Sequence, residues 1–506
     1  MSLWAVGAAL ALFLLLGLLG SRFSRFLASP ADGVLYRGVL YVLAGTVLLH
    51  LILTLLDFAG VRWGLPVLGV AALAVSGLAA WMANSASAPP PKTLITPALF
   101  SRHALTGEEG APTQQQGRLG QVPLSRGGGS GGRERGRGEG LGWGRSRIGW
   151  GEALALFALA VFTVFALSGW IAMPDFVYHW GVKGHRFYLV RGVDYLYLTR
   201  SWNWSIHPDY PQLAPELFAV TALFAGRFDM PAMMLGTAVL FALLLAAGRE
   251  ALRQGGADRF TAQAGTALVA LVVAAFGIGN VMAGAPDWNL ALALTAALPP
   301  LLRPPDRAGD LQIGVIAAFA AASKVEGVPL AAFLVAVQIG RRLWAERRLD
   351  LPGALAAALP PAAVILPWAG RALHYHLFQE LNSGTLDLSR AREIFAAVGQ
   401  TLQLPAWHGF LAAMFLAPLL LLCRRTRAFA AAATLELTFY YYVYFTTSVG
   451  NTGYYVLSNY ARLGFQLVPA CLVAALVAVS RSPQKSERPA ESPPPAAGSD
   501  DAPEPQ

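Results

Sequence analysis

Acidic, basic and imidazole side chains are concentrated in one stretch of an otherwise apolar sequence. This stretch, residues 174–215, is called the polar segment and contains the turn HPDYP among many Tyr and Trp residues. A carboxylate in such a setting can accept a proton, and a nearby cation can stabilise negative charge. The candidates for this chemistry in the polar segment are Asp175, Lys183, His207, Asp209 and Tyr210.

Four more ionisable residues interrupt the apolar sequence downstream. Asp287 stands in GAPDWN, Lys324 and Glu326 stand in SKVEG, and Arg462 precedes the last apolar run. Ionisable side chains in or beside membrane segments are energetically expensive and by default mark a functional site. We therefore expect these residues to join those of the polar segment in one site.

The elements that must position these residues are membrane helices. The chain has 506 residues, of which 55% are hydrophobic and only 13% are charged, too apolar a composition for one soluble core. Repeated apolar runs approach the ~20 residues that cross a membrane, which predicts an all-α, polytopic integral membrane protein. Much of the formal net charge of +9 lies in one Gly/Arg loop and at helix ends, the pattern that orients membrane proteins, so no nucleic-acid partner is expected.

Composition divides the chain into four parts. Residues 1–83 form a three-helix membrane segment, 84–148 a Gly/Arg-rich loop, 149–480 the main membrane domain, and 481–506 a Pro/Ser/Glu-rich tail. The loop and the tail bury almost nothing and are expected to be disordered. A solvated linker is the favoured interpretation of the loop, ahead of RNA binding or lipid binding. His50, in the second helix, is expected to make a structural hydrogen bond.

Arginines in the Gly/Arg loop place it in the cytoplasm by the positive-inside rule. The next helix then crosses outward, which puts the polar segment and the other candidate residues on the extracytoplasmic face and implies about thirteen crossings. Residues 213–226 are too short to span comfortably and are interpreted as interfacial or re-entrant. Residues 313–339 fit a hairpin of two short helices with Lys324 and Glu326 recessed at its turn, and Arg462 is expected in a short outer loop.

Each candidate also has a purely structural interpretation. Asp175 and Asp287 each follow a proline, so either acid could cap the helix that follows it. Lys324 and Glu326 could simply neutralise each other. The prolines of HPDYP make a rigid turn that is a poor helix, and most of the aromatic residues suit a membrane-interface belt.

The order of these motifs resembles a known family. An acid just after an early helix, then WGVKG, HPDYPQLAP, a second outer Asp, SKVEG and a late Arg are similar to the arrangement in bacterial membrane glycosyltransferases of the GT-C superfamily. The relatives include protein mannosyltransferases and aminoarabinose transferases, which use lipid-linked sugars. The resemblance covers roughly residues 153–479, and the three amino-terminal helices and the Gly/Arg loop have no obvious counterpart in it.

The resemblance implies an inverting transfer of a sugar from a polyprenyl-phosphate donor to a glycan, lipid or protein acceptor outside a bacterial cytoplasmic membrane. It implies Asp175 as the general base, and Asp287 as a residue that either positions Asp175 or shares a divalent metal with it. No cofactor is certain, because Asp175 has no adjacent second acid to complete a metal site. The remaining residues would hold the donor phosphate (Lys183, Lys324 and Arg462) or shape the substrate pocket (His207, Asp209, Tyr210 and Glu326).

Two other functions fit parts of the sequence. A transporter or flippase of a lipid-linked or polar substrate would also use broken helices and buried charges, although its inverted repeats are not evident. A non-catalytic membrane scaffold would recruit cytoplasmic partners through the Gly/Arg loop. The clustering of polar residues on one face favours the enzyme.

Overall fold

The computed structural model describes residues 3–87, 148–378, 385–404, 408–448 and 450–480. The expected disorder of the tail, and of the loop between residues 88 and 147, lies outside the described residues. Within the described ranges the regular structure is helical, with one isolated β-bridge between Ala172 and Ala283.

Most helices follow apolar runs of the sequence. Their bounds are α1 Leu3–Ser21, α2 Ser24–Leu27, α3 Val34–Phe58, α4 Leu65–Ser87, α5 Trp150–Ser168, α6 Gly181–Val190, α7 Tyr195–Leu198, α8 Leu213–Ala225, α9 Met230–Gln254, α10 Arg259–Gly279, α11 Asp287–Leu302, α12 Arg307–Ser323, α13 Gly327–Glu346, α14 Leu351–His374, α15 Ala391–Gln403, α16 Leu416–Leu420, α17 Arg427–Thr446 and α18 Thr452–Val479. Short 3₁₀ or π turns precede α6, α8, α15 and α16.

The chain folds as an all-α, multi-pass membrane protein. Nine helices in the described ranges are long and apolar enough to cross a membrane: α1, α3, α4, α5, α9, α10, α13, α14 and α18. The predicted total of thirteen crossings stays a prediction. The lack of a long apolar run predicts one long loop over residues 370–405, whereas the structure contains the helix α15 within this range, with one face buried.

Helix α11 is the centre of the bundle. Every residue from Asp287 to Leu301 is buried, and the helix packs against α9, α12 and α18. Trp288 anchors its first turn, because its ring lies 5.0 Å from Phe162 and 4.9 Å from Phe465 between ring centroids. This packing holds the adjacent Asp287 at a fixed position in the protein interior.

The helices of the amino-terminal segment are integrated into this bundle. The Tyr36 hydroxyl of α3 donates a hydrogen bond to the Ala296 carbonyl of α11 at 2.7 Å. His50 of α3 lies 2.6 Å from Glu216 of α8, between Nδ1 and Oε2, and both side chains are buried. The expected hydrogen bond of His50 is therefore confirmed, and its partner is an acid of the main domain.

Two glycines bring α1 and α3 into backbone contact. A Cβ on Gly45 would lie 1.9 Å from the Leu16 carbonyl oxygen, and a Cβ on Gly20 would lie 1.9 Å from the Tyr41 carbonyl oxygen. Neither position can therefore accept a side chain unless the helices separate.

Gly45→Ala is expected to lower the free energy of unfolding by about 1–3 kcal/mol, because it overpacks this contact. Gly38→Ala in the same helix is the matched control, since a Cβ there meets no atom within 4 Å. Denaturant unfolding of both variants in detergent measures the difference. Equal stability of the two variants would contradict the close approach of α1 and α3.

The predicted hairpin of residues 313–339 is present as α12 and α13, separated by Lys324, Val325 and Glu326. Its helices are not short, however, because they have 17 and 20 residues and α13 alone is long enough to cross a membrane. Its far ends are joined, because the Gln338 amide of α13 donates to Asp310 of α12 at 2.8 Å and Arg342 pairs with the same carboxylate. The two helices are therefore antiparallel, and the charged turn lies at the opposite end.

The placement of Arg462 in a loop is wrong. Helix α18 begins at Thr452, where the Asn451 side chain accepts a hydrogen bond from the Tyr454 amide at 2.8 Å. The helix runs without interruption through Arg462. The residues before 465 are too polar and aromatic to extend the apolar pattern, yet their inner face is buried against the rest of the bundle.

Candidate functional site

A backbone bridge brings two of the candidate acids, Asp175 and Asp287, close together. Ala172 and Ala283 form a parallel bridge, in which the Met173 amide donates to the Ala283 carbonyl at 2.9 Å. Asp175 follows on one side of this bridge and Asp287 on the other. Two segments that are far apart in sequence are thus fixed side by side.

Arg462 joins the two carboxylates. Its Nη1 lies 2.6 Å from Asp175 Oδ2, and its Nη2 lies 3.3 Å from Asp287 Oδ2. One guanidinium therefore spans both acids, with each terminal nitrogen facing a different carboxylate. A planar group with several fixed donors is well suited to such a bridge.

Two further groups bind Asp287. Lys324 Nζ lies 3.1 Å from Asp287 Oδ1 and 3.0 Å from Glu326 Oε1, and Gln466 Nε2 donates to Asp287 Oδ1 at 2.6 Å. The Asp287 side chain has no exposed surface, and Lys324 has only 4%. The residues Asp175, Asp287, Lys324, Glu326 and Arg462 are called the carboxylate cluster.

Helix capping does not account for the side-chain contacts of Asp175 and Asp287, and mutual neutralisation does not account for all contacts of Lys324. The Asp175 side chain makes no capping hydrogen bond, although the residue precedes a π turn, and its carboxylate faces Arg462 instead. Asp287 is the first residue of α11, and its oxygens are bound by side chains of other segments. Lys324 and Glu326 do pair, but Lys324 also binds Asp287.

The HPDYP turn lies next to the cluster. The His207 ring lies 5.4 Å from the His179 ring between centroids, and His179 Nε2 is 3.8 Å from Asp175 Oδ1. His207 has a φ of 51°, a left-handed conformation that is uncommon for a residue with a side chain. Its ring stacks on Tyr210 with centroids 4.6 Å apart. The turn thus places the His207 imidazole next to His179, the residue that faces Asp175.

Lys183 supports this turn. Its Nζ donates to the His207 carbonyl at 3.1 Å and lies 4.3 Å from the centroid of the Trp180 ring. The side chain has no exposed surface. These contacts favour a positioning role for Lys183 over the phosphate-binding role implied by the resemblance, which stays untested.

Burial shifts the pKa values of two residues of the HPDYP turn and of Lys183. Desolvation lowers the pKa of Lys183 to about 7, and that of His207 to about 4. Desolvation also raises the pKa of Asp209 to about 6. His207 is therefore neutral at pH 7, and its ring can both donate and accept a hydrogen bond.

The low pKa of Lys183 predicts a pH dependence of stability. The folded state releases the Lys183 proton near pH 7, whereas the unfolded state releases it near the usual lysine pKa of 10.5. The free energy of unfolding therefore rises with pH between these values, by at most about 1.4 kcal/mol per pH unit. Lys183→Met should lose this gain. Unfolding midpoints of both proteins at pH 7 to 10 test this, and parallel pH profiles would contradict the shift.

Some residues of the site are not evident from the sequence. Gln466 lies one turn beyond Arg462 on α18, a spacing that puts both on one face of a helix. The Tyr440 hydroxyl of α17 donates to Gln466 Oε1 at 2.5 Å. This hydrogen bond orients the amide so that its Nε2 faces Asp287. Recognising Gln466 requires knowing that α18 is continuous, and Tyr440 follows only from the packing of α17 on α18.

The space between the two aspartates holds a guanidinium. The shared metal allowed by the resemblance would need further oxygen or nitrogen ligands, and within the described ranges no three His, Cys, Asp or Glu side chains are placed together to hold a metal ion. Arg462 Nε is buried and has no hydrogen-bond partner among the residues that the structure describes.

Comparisons with family models, with curated proteins and with solved structures found no match to this chain. The geometry of the carboxylate cluster and of the HPDYP turn is therefore the basis for a functional proposal.

Proposed function

We propose that this protein is an inverting membrane glycosyltransferase, which moves a sugar from a polyprenyl-phosphate donor to a glycan, lipid or protein acceptor. The observation that carries the proposal is the Arg462 bridge between Asp175 and Asp287, with Lys324 beside it, at the amino-terminal end of the central helix α11. We place this site on the extracytoplasmic face of a bacterial cytoplasmic membrane.

The arrangement suits the chemistry of this transfer. An acceptor hydroxyl attacks the anomeric carbon while the bond from that carbon to the phosphate oxygen breaks, and the phosphate leaves with the electron pair. The hydroxyl proton passes to a carboxylate. Asp175 is the better base of the two acids, because its side chain is 27% exposed whereas Asp287 is fully buried. Arg462 and Lys324 would stabilise the phosphate charge.

An apolar pocket beside Asp287 supports a lipid-bearing donor. It is lined by residues of α1, α8 and α9, among them Phe13 and Leu240. Its wall continues through Pro286 and Asn289, the residues that flank the first turn of α11. A polyprenyl chain packed along this apolar wall would bring its phosphate close to the cluster.

Release of free polyprenyl phosphate tests the proposal. The purified full chain in lipid nanodiscs is incubated with polyprenyl-phosphate monosaccharides and with candidate glycan, lipid and peptide acceptors. We expect acceptor-dependent release of polyprenyl phosphate from one donor. Absence of release across the panel, together with unchanged lipid-linked sugar levels in cells lacking the protein, would overturn the proposal.

A transporter of a lipid-linked substrate is the second candidate. The break between α12 and α13 places Lys324 and Glu326 between two apolar helices, and transporters use broken helices for substrate sites. Reconstituted vesicles distinguish the two functions. A transporter moves the lipid-linked sugar across the bilayer unchanged, whereas the transferase cleaves it.

A further inference from the structure

One acid of the membrane domain, Glu436 of α17, has no part in the proposed transfer. Tyr440 lies one helical turn beyond it, so the two side chains share a face of the helix. Both are buried, and α17 packs against α11, α13 and α18. A buried acid in a membrane protein is energetically expensive and by default marks a functional site.

Glu436 does not face a cation in the described part of the chain. Its side chain has no exposed surface, and within the described ranges neither carboxyl oxygen has a hydrogen-bond partner of good geometry. The ionisable side chains that act on it are Tyr440 and Glu326, which immediately precedes α13. The charge of Glu326 would repel a second carboxylate. An ionised, unpaired carboxylate is therefore far more costly at this position than a protonated carboxyl group.

The hydrogen bonds that lead from Asp287 towards Glu436 have a fixed direction. The Asp287 carboxylate can only accept, so Gln466 presents its Nε2 to it at 2.6 Å. The other end of this amide, Gln466 Oε1, accepts from the Tyr440 hydroxyl at 2.5 Å. That hydroxyl has one proton, which this bond uses. The Tyr440 oxygen can therefore only accept from a further group.

Glu436 is placed to be that further group, and only its protonated form fits. A carboxylic acid has an O–H that can donate to the Tyr440 oxygen. An ionised Glu436 would instead be a stronger acceptor for the Tyr440 proton and would draw it away from Gln466. Gln466 would then lose the hydrogen bond that orients its amide towards Asp287.

We propose that Glu436 is a proton-binding site, and that its bound proton positions Gln466 on Asp287 through Tyr440. The three residues are thus positioning residues that act on the carboxylate cluster through Asp287. When the proton is released, the Tyr440 hydroxyl turns from Gln466 to Glu436, and the amide contact with Asp287 weakens. This proton site needs no sugar donor or acceptor, so it is independent of the proposed transferase function.

Infrared spectroscopy of the purified full chain, in a detergent without a carbonyl group, detects the proton directly. At pH 8 the Asp209 carboxyl, with its pKa of about 6, is ionised. We expect a carbonyl band of a protonated carboxylic acid at this pH, and Glu436→Gln should abolish it. Glu152→Gln should leave it, because Glu152 is partly exposed and paired with Arg249. Persistence of the band in Glu436→Gln would overturn the proton site.

The frequency of this band tests the link to Tyr440. Tyr440→Phe removes the oxygen that accepts from the Glu436 O–H, so the carbonyl band should shift to higher frequency. Tyr442→Phe, at a side chain of the same helix that is 48% exposed, should leave the frequency unchanged. An unshifted band in Tyr440→Phe would disconnect Glu436 from Asp287 and overturn its positioning role.

Unfolding at several pH values gives a second test. Above about pH 5 the unfolded chain has released the Glu436 proton, whereas the folded protein keeps it, so rising pH destabilises the wild-type protein through this group. Glu436→Gln has no such proton. The ratio of the wild-type unfolding constant to that of the variant should therefore rise between pH 6 and 9, by up to about tenfold per pH unit. Lys183 contributes equally to both proteins, and parallel pH profiles would overturn the proton site.

Carbon-13 labelling covers the case in which Glu436→Gln does not fold. In wild-type protein labelled at the side-chain carboxyl groups of glutamate, the band should move to lower frequency, and an unmoved band would overturn its assignment to a glutamic acid. The transferase proposal fails separately. Loss of the band in Glu436→Gln without polyprenyl phosphate release by the wild-type protein would remove only the transferase, and release without the band would remove only the proton site.

Discussion

Asp287→Ala is expected to lower the free energy of unfolding by about 3–5 kcal/mol, because it removes the fully buried carboxylate that Lys324 and Arg462 share. Lys324 Nζ lies 3.1 Å from Asp287 Oδ1, and the two side chains are 4% and 0% exposed. Gln466 loses its acceptor in the same variant. The measurement is denaturant unfolding of the purified protein in detergent micelles.

The matched control is Asp258→Asn, which removes a carboxylate at the exposed amino terminus of α10. Asp258 caps that helix by accepting from the Thr261 amide at 2.9 Å, and asparagine caps as well as aspartate. This control should therefore unfold like the wild-type protein.

A double variant separates charge burial from simple loss of packing. Asp287→Ala combined with Lys324→Met replaces the pair by apolar groups and should recover part of the lost stability, since the buried cation is gone. If the two changes add without recovery, the stability of this region does not depend on the pairing of Lys324 with Asp287.

Single-sequence reasoning found the members of this site because charge is rare in the chain. Asp175, Asp287 and Lys324 stand out against apolar neighbours, and the structure brings them together with Glu326 and Arg462. The hairpin was accessible for the same reason, since a charged turn divides an apolar run that is flanked by arginines at both ends. The roles of these residues stay predictions.

Two features of the site that the sequence did not reveal depend on contacts between segments far apart in the chain. The bridge between Ala172 and Ala283 joins two segments whose alanines carry no local signal of pairing. The first half of α18 is helical although it is polar, because Asn451 caps it and Glu393 of α15 accepts from the Gly453 amide. Periodicity of apolar residues detects helices that face lipid on one side, and it overlooks a helix whose polar face is covered by protein.

Asp175→Asn is expected to reduce the transfer rate about 100- to 10,000-fold, the contribution of a positioned general base. Asparagine has nearly the same size and keeps an oxygen for Arg462 Nη1, which lies 2.6 Å from the present carboxylate. Folding should therefore be preserved, and the loss should fall on kcat. Initial rates of polyprenyl phosphate release at saturating donor measure it, with Asp229→Asn, a substitution at the amino-terminal cap of α9, as the control.

Rescue of Asp175→Asn by azide distinguishes a general base from a residue that only positions Arg462. Azide is a nucleophile with no proton to lose, so an enzyme without its general base should still transfer the sugar to azide and release polyprenyl phosphate. In Asp175→Asn, azide should therefore restore donor cleavage and yield a glycosyl azide of inverted configuration. Full activity of the variant with the natural acceptor would exclude Asp175 as the base. Failure of azide in a folded variant would instead assign Asp175 to holding Arg462 against the donor phosphate.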